Sequence, residues 1–149
     1  MNKLLLLFLL GNFSSLFLVA GDKSTASNEY VKINTVVKEH SLKAGAKGTL
    51  LFTFIPKKGI HINIEQPMSL KLDSAALVSR VGDLVVPQSA KKEIMNDKKP
   101  VKQAFTISTN VNPGEIHIKG ILTYFYCSDE EGWCSRFKQP IDVTLTIKK

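Results

Sequence analysis

Residues 115–127, read in one-letter code as EIHIKGILTYFYC, form the longest stretch of the chain in which side-chain character repeats every second residue. Successive side chains of a β-strand point to opposite faces, so this period predicts a strand with one buried face. The opposite face is mixed and ends at Cys127. The side chains predicted to be buried are Ile116, Ile118, Gly120, Leu122, Tyr124 and Tyr126.

The flanking sequence continues the same pattern. Residues 140–147 alternate apolar and polar side chains and predict a final strand, so the two strands should form a hairpin with the cysteine segment at its connection. Further extended segments are predicted at residues 30–37, 49–55, 68–73, 83–86 and 101–109, and Asn110–Gly114 is a turn signal. Residues 88–99 are lysine-rich and predict an exposed loop or one helical turn. No long amphipathic helix is evident, so we expect one antiparallel β-sandwich of seven to nine strands.

The first twenty residues have the plan of a secretory signal peptide. A short region with one lysine, Lys3, precedes an apolar segment that runs from Leu4 to Ala20. A transmembrane anchor needs about 20 predominantly apolar residues, and Asn12 and two serines interrupt this segment. We therefore predict a signal peptide at 1–20, a polar leader at 21–29 and a domain at 30–149. The mature chain is expected to be periplasmic and not inserted in the membrane.

The formal net charge of +7 falls to +6 when Lys3 is removed with the signal peptide. A basic chain raises the question of nucleic-acid binding. Its lysine pairs are scattered among turns, a loop and the tail, without the interleaved aromatic side chains that stack on bases. We expect a solvated basic surface and no nucleic-acid partner.

Two cysteines, Cys127 and Cys134, are the chemical handle of the sequence, and six residues separate them. Export to an oxidising compartment favours a disulfide between them. The spacing is neither the Cys-x-x-Cys of thioredoxins nor a zinc pattern. A ring of about 8 residues stabilises a fold by roughly 2.5 kcal/mol, against about 4.4 for a loop of about 70. The bridge would thus stabilise the fold only modestly, which leaves both a structural and a chemical role open.

The residues around the cysteines bear on their reactivity. Asp129, Glu130 and Glu131 should disfavour a thiolate, whereas Arg136 and Lys138 partly oppose them. The bridge is therefore expected to be attacked by a partner thiolate rather than to supply the attacker. Trp133 is interpreted as a hairpin-packing aromatic, with a flat contact for a partner as the alternative.

Two segments resemble the N-terminal domain family of DsbD. One is Lys58–Asn63 followed by Gln66-Pro67, and the other is Leu122–Asp129 followed by a second cysteine. The similarity spans about residues 30–149. It implies an immunoglobulin-like periplasmic domain whose cysteine pair, on adjacent strands, receives electrons from a thioredoxin-like domain and reduces other thiol proteins. By this resemblance Cys127 and Cys134 would be the redox pair, with Cys127 the one attacked.

The chain departs from that family at two points. The family spacing is slightly shorter and often followed by a proline pair, whereas Ser135-Arg136-Phe137 follows here. The sequence also carries no membrane electron-conducting domain and no thioredoxin domain, so we expect separate partners: thioredoxin-like or other periplasmic thiol proteins, and a membrane electron transporter. Residues 64–68 are the candidate for the loop that caps the cysteines in this family.

Two other functions compete with thiol–disulfide interchange. The first is a binding or scaffold domain with a purely structural disulfide. The second is copper binding, because exported β-sandwiches use histidine, methionine and cysteine for copper. His61 is interpreted first as a residue that fixes a turn by hydrogen bonds. The candidate copper ligands are His61, the two cysteines, Met68, Met95 and His117. The spacing of these residues shows no compact motif, so no metal and no cofactor is assigned.

Overall fold

A computed structural model of the protein describes residues 28–73 and 76–149. The predicted signal peptide and nearly all of the polar leader lie outside these residues. The described residues contain no helix, and so none that is long and apolar enough to cross a membrane. They form nine strands: β1 (Val31–Val37), β2 (Ser41–Lys43), β3 (Lys47–Pro56), β4 (Ile60–Asn63), β5 (Ser69–Leu72), β6 (Val78–Val85), β7 (Val101–Ile107), β8 (Gly114–Ser128) and β9 (Trp133–Lys148).

The strands form two sheets, which confirms the predicted immunoglobulin-like β-sandwich. One sheet has the order β1-β3-β7-β6, and the other has the order β2-β9-β8-β4, with β5 also paired to β8. All pairings between these strands are antiparallel except β2 with β9, which is parallel. The inner faces of the two sheets supply the core.

The predicted buried face of β8 is the centre of that core. Ile118, Leu122 and Tyr124 are fully buried, and Tyr126 is nearly so. They meet β3 and β7 residues from the opposite sheet, of which Phe52, Phe54 and Phe105 are the largest. The ring centroids of Tyr124 and Phe54 lie 5.2 Å apart in an edge-to-face contact. Side chains of this size dominate the burial energy of a domain core.

The β8–β9 hairpin is the longest paired element of the described fold. Facing pairs run without interruption from Gly114↔Ile147 to Ser128↔Trp133. The chain reverses at residues 129–132, where Gly132 has a φ of 69° and its N–H donates to the Ser128 carbonyl at 3.0 Å. The predicted hairpin and the place of the cysteines in it are confirmed. Strand β9 begins at Trp133 rather than at 140. The sequence prediction missed its first half because that half lies at a sheet margin and carries polar side chains.

The structure corrects several details of the sequence prediction. Strands β2 and β4 were not predicted, and β6 begins at Val78 instead of 83. Residues 88–99 contain no helical turn, and four of them are not exposed: Ser89, Ile94 and Asn96 are half-buried, and Met95 lies in the core at 3% exposure. Its N–H donates to the Ile62 carbonyl at 2.9 Å, which ties this loop to β4. Ile94 and Met95 are adjacent apolar residues in a lysine-rich segment, and they show no period from which this burial could be inferred.

The last residues of the predicted leader belong to the folded domain. Asn28 is buried, and its side-chain N–H donates to the hydroxyl of Tyr124 at 3.0 Å. This bond satisfies the polar end of a fully buried tyrosine, a group that is costly to bury without a partner. Asn28 therefore packs with the described residues of the predicted domain.

Candidate functional site

The candidate site lies at the turn end of the β8–β9 hairpin. Cys127 and Cys134 face each other across the two strands and form a disulfide, with their Cα atoms 4.0 Å apart. They are the only cysteines of the chain. The predicted bridge is therefore present, and it joins directly facing residues of neighbouring strands.

The bridge lies on the outer face of its sheet. Tyr126 and Ile62, which neighbour the cysteine row along β8 and β4, point into the core. Because side chains alternate along a strand, Cys127 points the other way. It is nonetheless only 4% exposed, whereas Cys134 is exposed. The disulfide thus has one covered end and one end open to a partner.

His61 extends the cysteine row onto a third strand. It faces Cys127 across the β4–β8 pairing, so that His61, Cys127 and Cys134 stand side by side on three adjacent strands. Its side chain is 18% exposed, and Nδ1 lies 3.3 Å from Oδ2 of Asp129 in the turn. That is an ion-pair distance, but the groups are not aligned for a hydrogen bond, and Nδ1 is buried without a hydrogen-bond partner. Nδ1 therefore makes none of the turn-fixing hydrogen bonds predicted for this ring.

The acidic turn after β8 is held by hydrogen bonds of its own. The hydroxyl of Ser128 accepts from the N–H of Glu131 at 3.2 Å, and the indole N–H of Trp133 donates to the Glu131 carboxylate. Asp129 is 77% exposed in its side chain. Negative charge is therefore concentrated within a few residues of both sulfurs, as predicted from the sequence.

Trp133 packs into an aromatic group beneath the turn. Its ring centroid lies 5.2 Å from that of Tyr30 and 5.7 Å from that of Tyr126, both in edge-to-face contacts. Such pairs contribute about 0.5–1.5 kcal/mol beyond the area they bury. The interpretation of Trp133 as a hairpin-packing aromatic is confirmed. A depression of about 140 Å³ adjoins it, lined in part by Lys58 and Glu130.

The segment proposed to cap the cysteines connects β4 to β5. Both strands pair with β8, at Asn63↔Phe125 and Ser69↔Thr123, so the segment leaves the sheet edge two residues from the cysteine row. Its apolar ends, Ile64 and Met68, pack against the core. Its position beside the row agrees with the candidate loop, and its capping of the sulfurs stays a prediction.

The structure brings together only part of the set considered for copper: His61 and the two cysteines share one row, whereas Met68, Met95 and His117 lie elsewhere. Met95 is in the core, Met68 packs against the core, and His117 binds Asp142 at 2.7 Å. His117 is ten residues from Cys127 along β8, which corresponds to about 34 Å of extended strand. Within residues 28–73 and 76–149, no group of three or more histidine, cysteine or acidic side chains is placed to hold a metal ion.

Sequence reasoning did not place His61 beside the cysteines. The two positions are 66 residues apart, and only the register of β4 on β8 makes them neighbours. The signal that would have located it is the short alternating segment Ile60–Asn63, which can be recognised as an edge strand once β8 is identified.

Among known proteins, the likenesses found are to solved structures. No protein-family model matches the chain, and no curated protein matches it. A solved structure entitled "Crystal structure of yeast GGA1_GAE domain-P21" aligns with a TM-score of 0.38 and 15% sequence identity, over 77% of this chain and 94% of that one. This likeness carries no argument about function.

Proposed function

We propose that the protein is an exported thiol–disulfide interchange module that relays electrons through the Cys127–Cys134 disulfide and its dithiol form. Its partners would be thioredoxin-like or other periplasmic thiol proteins, supplied by a separate membrane electron transporter. The resemblance to the DsbD N-terminal domain family first suggested this role. The observation that supports it most is an accessible bridge at a position where the fold has little need of one.

The need is small because the hairpin is held by other contacts. Strands β8 and β9 remain paired along the whole length of β8, and the core residues on their inner faces lie on the side away from the bridge. A ring closed by residues seven apart adds only about 2.5 kcal/mol. A disulfide that opens and closes during a reaction cycle must leave the fold intact when it is open, and this one is placed to do so.

The burial of the two sulfurs favours a direction of attack. A partner thiolate approaches the exposed Cys134, and its sulfur forms a bond to Cys134 Sγ as the Cys127–Cys134 bond breaks. The electron pair of the broken bond passes to the covered Cys127 Sγ. A second thiolate of the partner then attacks the partner's own sulfur in the mixed disulfide and releases Cys134. The partner is oxidised to a disulfide, and this domain becomes a dithiol. The burial of Cys127 does not support the earlier expectation that Cys127 is attacked.

The acidic turn sets the character of the pair. Asp129, Glu130 and Glu131 disfavour a negative sulfur nearby, so the dithiol form holds its protons and attacks slowly. The same charges attract a basic surface on a partner, which speeds encounter at low ionic strength. The site is therefore suited to be attacked by a partner whose own thiolate is well ionised.

The decisive measurement is the reduction potential of the pair, obtained by equilibrating the purified protein with defined dithiol and disulfide buffers. A redox module should have a potential above about −300 mV, within reach of cellular thiols. A value below that limit would assign the bridge to the alternative function, a binding or scaffold domain with a structural disulfide.

The attacked cysteine is identified by trapping. A Cys127→Ser variant keeps the exposed thiol and should accumulate a mixed disulfide with a thioredoxin-like domain that lacks its resolving cysteine. Cys134→Ser is the matched control, because it keeps only the covered thiol and should trap much less. Equal trapping by both variants would contradict the proposed direction.

A further inference from the structure

The leaving sulfur of the proposed reaction, that of Cys127, has one titratable neighbour in the adjacent strand. His61 faces it across β4 and β8 on the outer side of the sheet. Directly facing side chains have their Cβ atoms about 4.5–5.5 Å apart, and an imidazole ring and a thiol bridge that distance between them. His61 is thus within reach of Cys127 on the side opposite Cys134.

The His61 ring also has a nitrogen whose bonding is incomplete. Nδ1 is buried and lacks a hydrogen-bond partner, although the Asp129 carboxylate is 3.3 Å away. A buried polar atom left unpaired is destabilising, so such an arrangement calls for an explanation. While the disulfide is closed, neither sulfur carries a proton. Reduction creates a new proton site at Cys127, beside this ring.

We propose that His61 holds and transfers the proton of Cys127 during thiol–disulfide interchange, with Asp129 orienting the ring. This inference rests on the proposed function of the cysteine pair. In this proposal His61 exchanges the proton of the covered Cys127. Cys134 needs no such residue, because it is exposed and water reaches it.

Cleavage of the disulfide is coupled to proton transfer from His61 to Cys127. A partner thiolate forms a bond to Cys134 Sγ, and the bond between the two cysteines breaks with its electron pair on Cys127 Sγ. The protonated His61 ring gives its proton to that sulfur, which leaves a neutral imidazole and a neutral thiol. In the reverse direction the neutral ring takes the proton from Cys127, and the thiolate attacks Cys134 and expels the partner thiolate.

Charged groups of both signs surround this row. Asp129 faces His61 from the turn, and Glu130 approaches the β3–β4 turn, with its Oε2 4.0 Å from the position that a Cβ on Gly59 would occupy. On the cationic side, Lys58 lines the adjoining depression and Arg136 is two residues beyond Cys134 on β9. Among these charged groups, the Asp129 carboxylate is the one in contact with the His61 ring, at 3.3 Å.

The first test measures Cys127 alone. In a Cys134→Ser background, the fraction of Cys127 present as thiolate at fixed pH is read from its ultraviolet absorbance. Replacement of the ring by His61→Gln should lower that fraction about tenfold or more, because glutamine cannot take the thiol proton and pair with the thiolate. His117→Gln, also on the outer face of this sheet but remote from the cysteines, is the matched control and should change nothing. An unchanged thiolate fraction in the His61→Gln protein would overturn the inference.

A second test requires no substitution. The ¹⁵N chemical shifts of the His61 ring should change when the wild-type protein is reduced at fixed pH, whereas those of His117 should stay constant. Ring ¹⁵N shifts that report the same protonation state of His61 in the oxidised and reduced protein would also overturn the inference. This readout remains valid if His61→Gln fails to fold.

The third test separates this inference from the proposed function. The rate of reduction by a small dithiol, divided by the thiolate concentration of that reagent, should rise toward low pH in the wild type. His61→Gln should flatten the profile and slow the reaction about tenfold or more at pH 6. If the potential of the wild-type bridge proves too low for any cellular dithiol while the thiolate fraction still depends on His61, the relay function fails and the His61–Cys127 pair stands. If reduction is facile and the profile is unaltered by His61→Gln, the relay stands and the role of His61 is wrong.

Discussion

Reduction of the Cys127–Cys134 bridge is expected to lower the free energy of unfolding by about 2.5 kcal/mol and to leave the sandwich folded. The cysteines are seven residues apart, so the bridge closes a ring of about eight residues in the unfolded chain. The entropy that such a ring removes is about 8 cal/mol/K, which is worth about 2.5 kcal/mol at 25 °C. A domain of this kind is stable by about 5–15 kcal/mol, so the reduced form should keep a positive free energy of unfolding.

The assay is urea unfolding of the oxidised protein and of the same protein in excess dithiol, followed by tryptophan fluorescence and far-ultraviolet circular dichroism. The midpoint should fall with little change in slope, because the folded surface is the same in both forms. Linkage gives an independent check: the folded bridge should be harder to reduce than that of the urea-unfolded chain by about 50 mV, since about 30 mV corresponds to 1.4 kcal/mol. Loss of more than about 5 kcal/mol, or loss of the β-sheet signal on reduction, would refute the reasoning.

Three further outcomes are expected. Burial raises the pKa of Tyr124 to about 12 against the opposing effect of the Asn28 hydrogen bond, and this folded pKa exceeds the unfolded value of 10. Its contribution to stability is therefore complete below about pH 10 and is lost as the pH rises toward 12, so urea unfolding of Tyr124→Phe should depend less on pH in that range. Gly120→Ala should lower the free energy of unfolding in urea by about 1–3 kcal/mol, because its Cβ would lie 2.4 Å from the backbone oxygen of Lys71. A Cβ at Gly132 meets nothing within 4 Å, so Gly132→Ala should cost only the strain of its positive φ, about 1–2 kcal/mol. Met68, Met95 and His117 are dispersed over the fold, so substituting any one of them should leave Cu(I) uptake by the reduced protein, titrated against a competing chelator, unchanged.

The main strands were predictable because each buries one face. The period of two in β3, β7, β8 and β9 is strong, and the burial patterns of these strands alternate accordingly. Strand β6 gives a weak signal, since most of its residues are exposed and its pairing with β7 shifts register twice. Strand β2 has only three residues, too few to show a period, and its parallel pairing with β9 depends on contacts that are distant in sequence.

The candidate site was predictable in one half and not in the other. Cys127, Cys134 and the acidic turn are local, and a hairpin between two alternating strands places them together without any tertiary information. The position of His61 depends on the β4–β8 register, and the difference in burial between the two cysteines depends on what packs around each sulfur. Neither follows from local pattern. The hydrogen bonding of the His61 ring likewise required the coordinates of the turn.

The arrangement of this hairpin explains how one element serves both the fold and a reaction. Its inner face supplies Ile118, Leu122 and Tyr124 to the core, and that face alone fixes the register of β8 against its neighbours. Since a slip of one residue would turn this whole set toward solvent, the register persists when the bridge opens. The reduced cysteines then remain facing each other, which keeps the effective concentration of one thiol at the other high and makes reclosure fast. A disulfide between distant strands would stabilise the fold more, but its opening would release a long loop, and the two sulfurs would no longer be held together. The small stabilisation by the Cys127–Cys134 ring is thus the property that suits it to repeated opening.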